Sequence, residues 1–259
     1  MNTDTQNPSS AARRIIEKLE IKEPSEIKVT LIAENRGATV VESHLTSSEG
    51  RMVRRGRKGK ITVPANERNV GRKRFSIGHE LGHFELHPQL TNFVACSKSD
   101  MTDWKGYKKR ETEANIFSAE LLMPEPLFAP RIIRKTPNIK LIQKLAKEFR
   151  TSLTATAYRY IQLTREPCAL IYSVNGKIDW FLKNEKDFRF FLKGRGTPVD
   201  EDSFAFDAFG GKGDAVDGSL VPATAWVDSD HSMYEDMELK ESTIFLEYYN
   251  ATITLLWEP

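Results

Sequence analysis

The 259 residues read as a mixed α+β fold, and three features of the chain point that way. Two stretches, 72–87 and 110–124, set large apolar and small residues at helical spacing. Runs rich in β-branched residues, 38–44 and 61–63, precede them as strands. Beyond residue 166 the apolar runs alternate with turn signals, beginning at Asn175-Gly176, a strong short-range hairpin signal. Composition and pattern divide the chain into 1–130, a helical segment 131–165, and a small β-rich α+β domain 166–259.

Overall charge selects no partner, because 38 Lys and Arg face 36 Asp and Glu. Cys96 and Cys168 lie far apart and match no paired metal-ligand spacing, as in a reduced cytoplasmic protein. The first eight residues are polar and carry no apolar signal region. Nothing approaches the roughly eighteen apolar residues needed to cross a bilayer. A soluble chain without a membrane partner is therefore expected.

Residues 1–9 read as disordered, and a helix carrying Ile15, Ile16, Leu19 and Ile21 follows, begun by Ser9 or Ser10. Residues 27–33 read as strand passing into helix. His44 ends the strand 38–44 and is assigned a structural role. Residues 49–64 form a glycine-punctuated hairpin bearing Arg51, Arg54, Arg55, Arg57, Lys58 and Lys60. No aromatic residues interleave for base stacking. These cations are read as a solvated, edge-protecting tip in preference to a nucleic-acid site. The strand 61–63 is a candidate edge for an added substrate strand.

Within 72–87 the chain reads His79-Glu80-Leu81-Gly82-His83. On a helix His79 and His83 lie one turn apart, so both imidazoles can meet one metal ion, and imidazole suits zinc. Glu80 stands one residue round, where it can take a proton from a bound water. His87 lies about 12 Å along the axis from His79, too far to share the ion, and is expected to support or cap the helix before Pro88. The third ligand should come from 110–124, where Glu111, Glu113 and Glu120 are the carboxylates. Glu111 shares a face with Asn115, a candidate hydrogen-bond partner for a ligand. Glu113 points about 200° away and is the alternative third ligand. Glu111 is preferred.

Arg74-Phe75, His79 to His83, then Glu111, Ala114, Asn115, Phe117, Ala119, Leu121, Leu122, Met123 and Pro124 together resemble the ImmA/IrrE family of zinc metallopeptidases. Ser118 stands where that family usually has alanine. The resemblance implies a zincin-like domain in which His79, His83 and Glu111 bind Zn2+, with Mn2+ as an alternative, and Glu80 is the general base. It further implies a cytoplasmic endopeptidase that cleaves a helix-turn-helix repressor, inducing a stress-response or mobile-element operon.

Trp104 and Tyr107 fall on a loop between the two site helices, either as part of a substrate subsite or packed back onto the core, and Tyr107 is a candidate for oxyanion or substrate contact. Residues 141–161 resemble a helix-turn-helix. The second helix opens Leu153-Thr154-Ala155-Thr156-Ala157, which offers few groups for base edges, so packing or substrate docking is favoured over DNA binding. Downstream, strands are expected at 169–174, 177–181, 223–227, 242–248 and 251–257, a short helix at 185–193 and a loop at 195–218. Acidic residues crowd this region without a calcium-loop spacing. In the family it is a sensor-like or substrate-recognition domain. The competing reading is a DNA-binding regulator, or an antitoxin-like protein-binding partner, whose metal site is not catalytic.

Overall fold

Helix α1 (Pro8–Lys18) starts at Asn7, not at the serines that follow it, because the Asn7 side chain accepts the Ser10 N–H at 3.1 Å and Pro8 takes the first helical position. The computed structural model describes residues 7–45, 50–89, 94–96, 109–184, 188–228 and 234–259. Among them the chain forms eight α-helices and two sheets, and its contacts divide it into two units. One comprises Met1–Phe128 with Ala146–Ser152, the other Ala129–Leu145 with Leu153–Pro259. The segment 131–165 is thus shared between them.

In the first unit, α2 (Val29–Asn35) leads into a sheet of β1 (Ala38–Ser43), β2 (Gly50–Arg55), β3 (Lys58–Pro64) and β4 (Val94–Cys96), in the order β1-β3-β2-β4. β1 runs parallel to β3, and the other neighbours are antiparallel. β3 is therefore internal, with both backbone edges already laddered. It cannot receive a substrate strand, which corrects the expectation for 61–63. His44 lies just past β1 and is exposed.

Helix α3 (Val70–Leu86) packs on the sheet, capped by Asn69, whose side chain accepts the Arg72 N–H at 3.0 Å. It ends at His87, whose N–H reaches the His83 carbonyl at 3.1 Å before Pro88 stops the helix. Phe75, Ile77, Leu81 and Phe84 join Met52, Ile61 and Val63 in the core. Full burial of a side chain such as Leu81 is worth about 1.5–3 kcal/mol. Buried Arg74 donates to the carbonyls of Ile27 at 3.0 Å and Phe149 at 3.5 Å, tying α3 to two neighbouring segments. Burial draws its pKa down to about 10.

Helix α4 (Lys109–Leu122) lies beside α3, and α5 (Glu125–Phe128) follows it after Pro124. Glu120 is spent on structure. Its Oε1 accepts from Arg13 Nε at 2.9 Å and from the Glu125 N–H at 3.0 Å, fastening α1 to the end of α4. The helices α6 (Ile139–Phe149) and α7 (Leu153–Leu163) are joined by a tight turn in which Arg150 takes a φ of 55°.

The second unit holds an antiparallel sheet in the order β6-β5-β9-β8-β7. Its strands are β5 (Cys168–Val174), β6 (Lys177–Lys183), β7 (Ala215–Pro222), β8 (Glu238–Leu246) and β9 (Ala251–Trp257). Asn175 and Gly176 turn β5 into β6 with φ of 51° and 72°, as their sequence demands. Three local readings are corrected. A helix α8 (Phe204–Phe209), capped by Ser203, occupies the expected loop, because Ala205 and Ala208 are buried there. Residues Ala223–Ala225 form a 3-10 turn that buries Trp226, not a strand. Residues 188–193 are not helical, since Phe188, Phe190 and Leu192 all enter the core and Leu192 bridges to Val227. Cys168 is a buried free thiol whose pKa burial pushes up to about 12.

Candidate metal centre

The two site helices meet through their smallest residues. A Cβ added at Gly82 would stand 3.1 Å from the Ala114 Cα, and one at Gly78 would stand 2.5 Å from Ser118 Oγ. Glycines one turn apart on α3 thus let α4 approach closely, at some cost in helix propensity. Ser118 uses its hydroxyl to donate to the Phe75 carbonyl at 2.9 Å, so the serine in place of alanine adds a link between the helices.

That approach brings three side chains together. His79 Nε2 lies 3.0 Å from His83 Nε2, and Glu111 Oε2 lies 3.2 Å and 3.3 Å from the two nitrogens. Both histidines are buried, and Glu111 enters from the first turn of α4. Ligands about 2.0–2.1 Å from a tetrahedral zinc stand about 3.3 Å apart, so the triangle has the size such an ion requires. His79 Nδ1 faces Asn115 Oδ1 at 2.8 Å. With the proton on Nδ1 donated to Asn115, Nε2 keeps its lone pair for the ion. Burial lowers the His83 pKa, which favours the neutral, ligating form. Burial opposes ionisation of Glu111, yet its contacts with His79 and His83 hold the carboxyl well below the usual range. Residues, tautomer and spacing fit a divalent ion.

Glu113 belongs elsewhere. It lies 3.7 Å from His87 Nε2 and 3.9 Å from Lys109 Nζ, while Glu111 closes the triangle with His79 and His83. His87 Nε2 also lies 3.3 Å from the Arg110 carbonyl, so it links the end of α3 to the start of α4. Glu80 is wholly buried in the same helical turn as His79, against the first residue of β2. Tyr107, proposed for substrate contact, lies outside the described residues, as does Trp104. Part of the basic hairpin serves α3. Arg54 Nη1 donates to the Phe84 carbonyl at 2.5 Å, and its guanidinium lies 4.3 Å from the Phe84 ring centre. Arg36 makes a two-point pair with Glu85 at 2.9 Å and 3.0 Å.

A peptidase family model described as the IrrE N-terminal-like domain matches residues 33–160, which include all of α3 and α4. Residues 33–160 belong to the ImmA/IrrE family. The chain is 32% identical over 107 residues to the radiation response metalloprotease IrrE of Deinococcus radiodurans, across 40% of this chain and 30% of that protein. The chain thus matches less than a third of that relative's length. Among solved structures, a Mycobacterium tuberculosis transcriptional regulator shares the fold with a TM-score of 0.60 at 16% identity, covering 97% of this chain and 75% of that one. Membership of the ImmA/IrrE family supports a metalloprotease domain. The site residue that sequence reasoning missed is Gly50, whose only signal is a glycine opening a strand.

Proposed function

We propose that this chain is a metal-dependent endopeptidase with a zincin-like catalytic domain in residues 1–130. The observation that carries the reading is the triangle of two imidazole nitrogens and one carboxylate oxygen with edges of 3.0, 3.2 and 3.3 Å. Zn2+, or Mn2+ in the cell, held by His79, His83 and Glu111 would supply the Lewis acidity that activates water and a scissile carbonyl. Asn115 fixes the ring of His79. Glu80 accepts the proton of the attacking water on its carboxylate and returns it to the departing amine.

In this reading the substrate is a protein, a helix-turn-helix repressor cut at one site in the cytoplasm to induce a stress-response or mobile-element operon. Residues 131–165 act as a helix-turn-helix-like docking segment and 166–259 as a sensor-like or recognition domain. DNA binding through α7 is disfavoured, because Ala155, Thr156 and Ala157 at its start are buried and offer nothing to base edges. No helix among the described residues is long and apolar enough to cross a membrane.

The deciding experiment incubates the zinc- or manganese-loaded chain with the repressor encoded beside it, with and without a chelator. One pair of discrete fragments, lost on chelation and in Glu80→Gln, is expected. A repressor left whole by the metal-loaded chain would refute that substrate. Salt-dependent duplex affinity that survives chelation would favour the regulator reading instead.

A further inference from the structure

Gly50 opens β2 with the Glu80 side chain directly against it. A Cβ built there would stand 2.6 Å from Glu80 Oε1, 3.0 Å from Cγ and 3.2 Å from Cδ, and no other residue supplies a closer atom. The backbone does not call for glycine, since Gly50 is absent from the residues with positive φ. It pairs with Cys96 in regular antiparallel register, where glycine weakens a strand. Something other than strand formation accounts for the missing side chain.

We propose that Gly50 is a positioning residue for Glu80, its absent side chain being the space in which the general-base carboxylate sits. The inference rests on the peptidase reading above. The physical argument concerns which partner yields. β2 is laddered to β3 from its second residue and to β4 at its first. The Glu80 carboxylate ends a side chain with three rotatable bonds. A methyl group at position 50 therefore turns the carboxylate aside before it moves the strand. His79, His83 and Glu111 stay where they are, because the three nearest atoms to that methyl all belong to Glu80.

The test uses the full zinc-loaded chain carrying Gly50→Ala. Zinc affinity and thermal midpoint are expected to match the parent. Repressor cleavage should lose kcat by roughly 10²-fold, as an ångström-scale misplacement does, with KM little changed. In a Glu80→Gln background the substitution should add no further loss, since both act through one carboxylate. A crystal structure of the zinc-loaded variant supplies a readout that needs no substrate, and it should show Glu80 displaced with the three ligands fixed. An unmoved carboxylate, or parental kcat, would overturn the assignment. If Gly50→Ala fails to fold, Gly50→Ala with Glu80→Asp should restore folding by shortening the acid, and failure of that pair would equally overturn it. A parent chain that loads zinc and cleaves nothing defeats the peptidase reading, while the carboxylate position in the variant still decides the role of Gly50.

Discussion

Gly82 of α3 and Ala114 of α4 are packed so closely that the first β-carbon placed on Gly82 would lie 3.1 Å from the Ala114 Cα and 3.2 Å from its carbonyl oxygen. This contact sets the distance between the helix that carries the imidazoles and the helix that carries Glu111. Both neighbours are backbone or backbone-attached atoms with no rotamer to relieve the crowding. Gly82→Ala is expected to destabilise the protein by about 1–3 kcal/mol, as overpacking does, and to weaken metal binding by spreading the helices. Urea unfolding and a zinc titration check both effects. Unchanged zinc affinity in a folded variant would show that the contact does not set the site.

Asn115 holds His79 by the ring nitrogen that the ion does not use, at 2.8 Å. Asn115→Ala should lower zinc affinity roughly 10–100-fold, with Asn115→Asp retaining more of it. Competition with a chromogenic chelator measures the loss.

Glu80→Gln keeps the shape of the side chain and removes its basicity. Cleavage should fall by a factor on the order of 10²–10⁴, with zinc still bound stoichiometrically. A variant that cleaves at the parental rate would remove Glu80 from the proton transfer.

The metal-free chain should show the pH signature of Glu111. Burial works against its ionisation, but the imidazoles hold the folded carboxyl below its unfolded value of 4.5. A depressed acid contributes stability that is present above the unfolded pKa and lost as pH falls through the folded one. Chelator-treated protein should therefore lose stability on acidification below about pH 4.5, and Glu111→Gln should flatten that part of the curve. Denaturant melts along a pH series read this directly.

Glu241 in the second unit gives the opposite sign. Burial raises its pKa, although it accepts from Trp226 Nε1 at 2.8 Å, the Ala205 N–H at 2.8 Å and Thr243 Oγ1 at 2.7 Å. Its contribution is present below the unfolded value and declines as pH rises through the folded one. Glu241→Ala strands these buried donors, each costing about 1–3 kcal/mol. A large fall in the thermal midpoint is expected, monitored by Trp226 fluorescence.

The helices α3 and α4, their apolar packing positions and the hairpins at 50–64 and 169–183 could all be read from local pattern, because periodicity and turn chemistry act over a few residues. The pairing of His79 with His83 was legible for the same reason, being a property of one helical turn. Elsewhere tertiary contacts overrode pattern. Ser203 and two buried alanines made a helix of residues 204–209, and Trp226 pulled 223–225 out of extended backbone to reach the core.

By itself the sequence determined which side chains could ligate an ion and which helices carry them. It did not determine whether Glu111 or Glu113 faces the imidazoles, nor that Gly50 lies on Glu80. Both depend on how elements separated by some thirty residues are rotated and spaced, and only the packing of Gly78 and Gly82 against α4 and the register of β2 decide that.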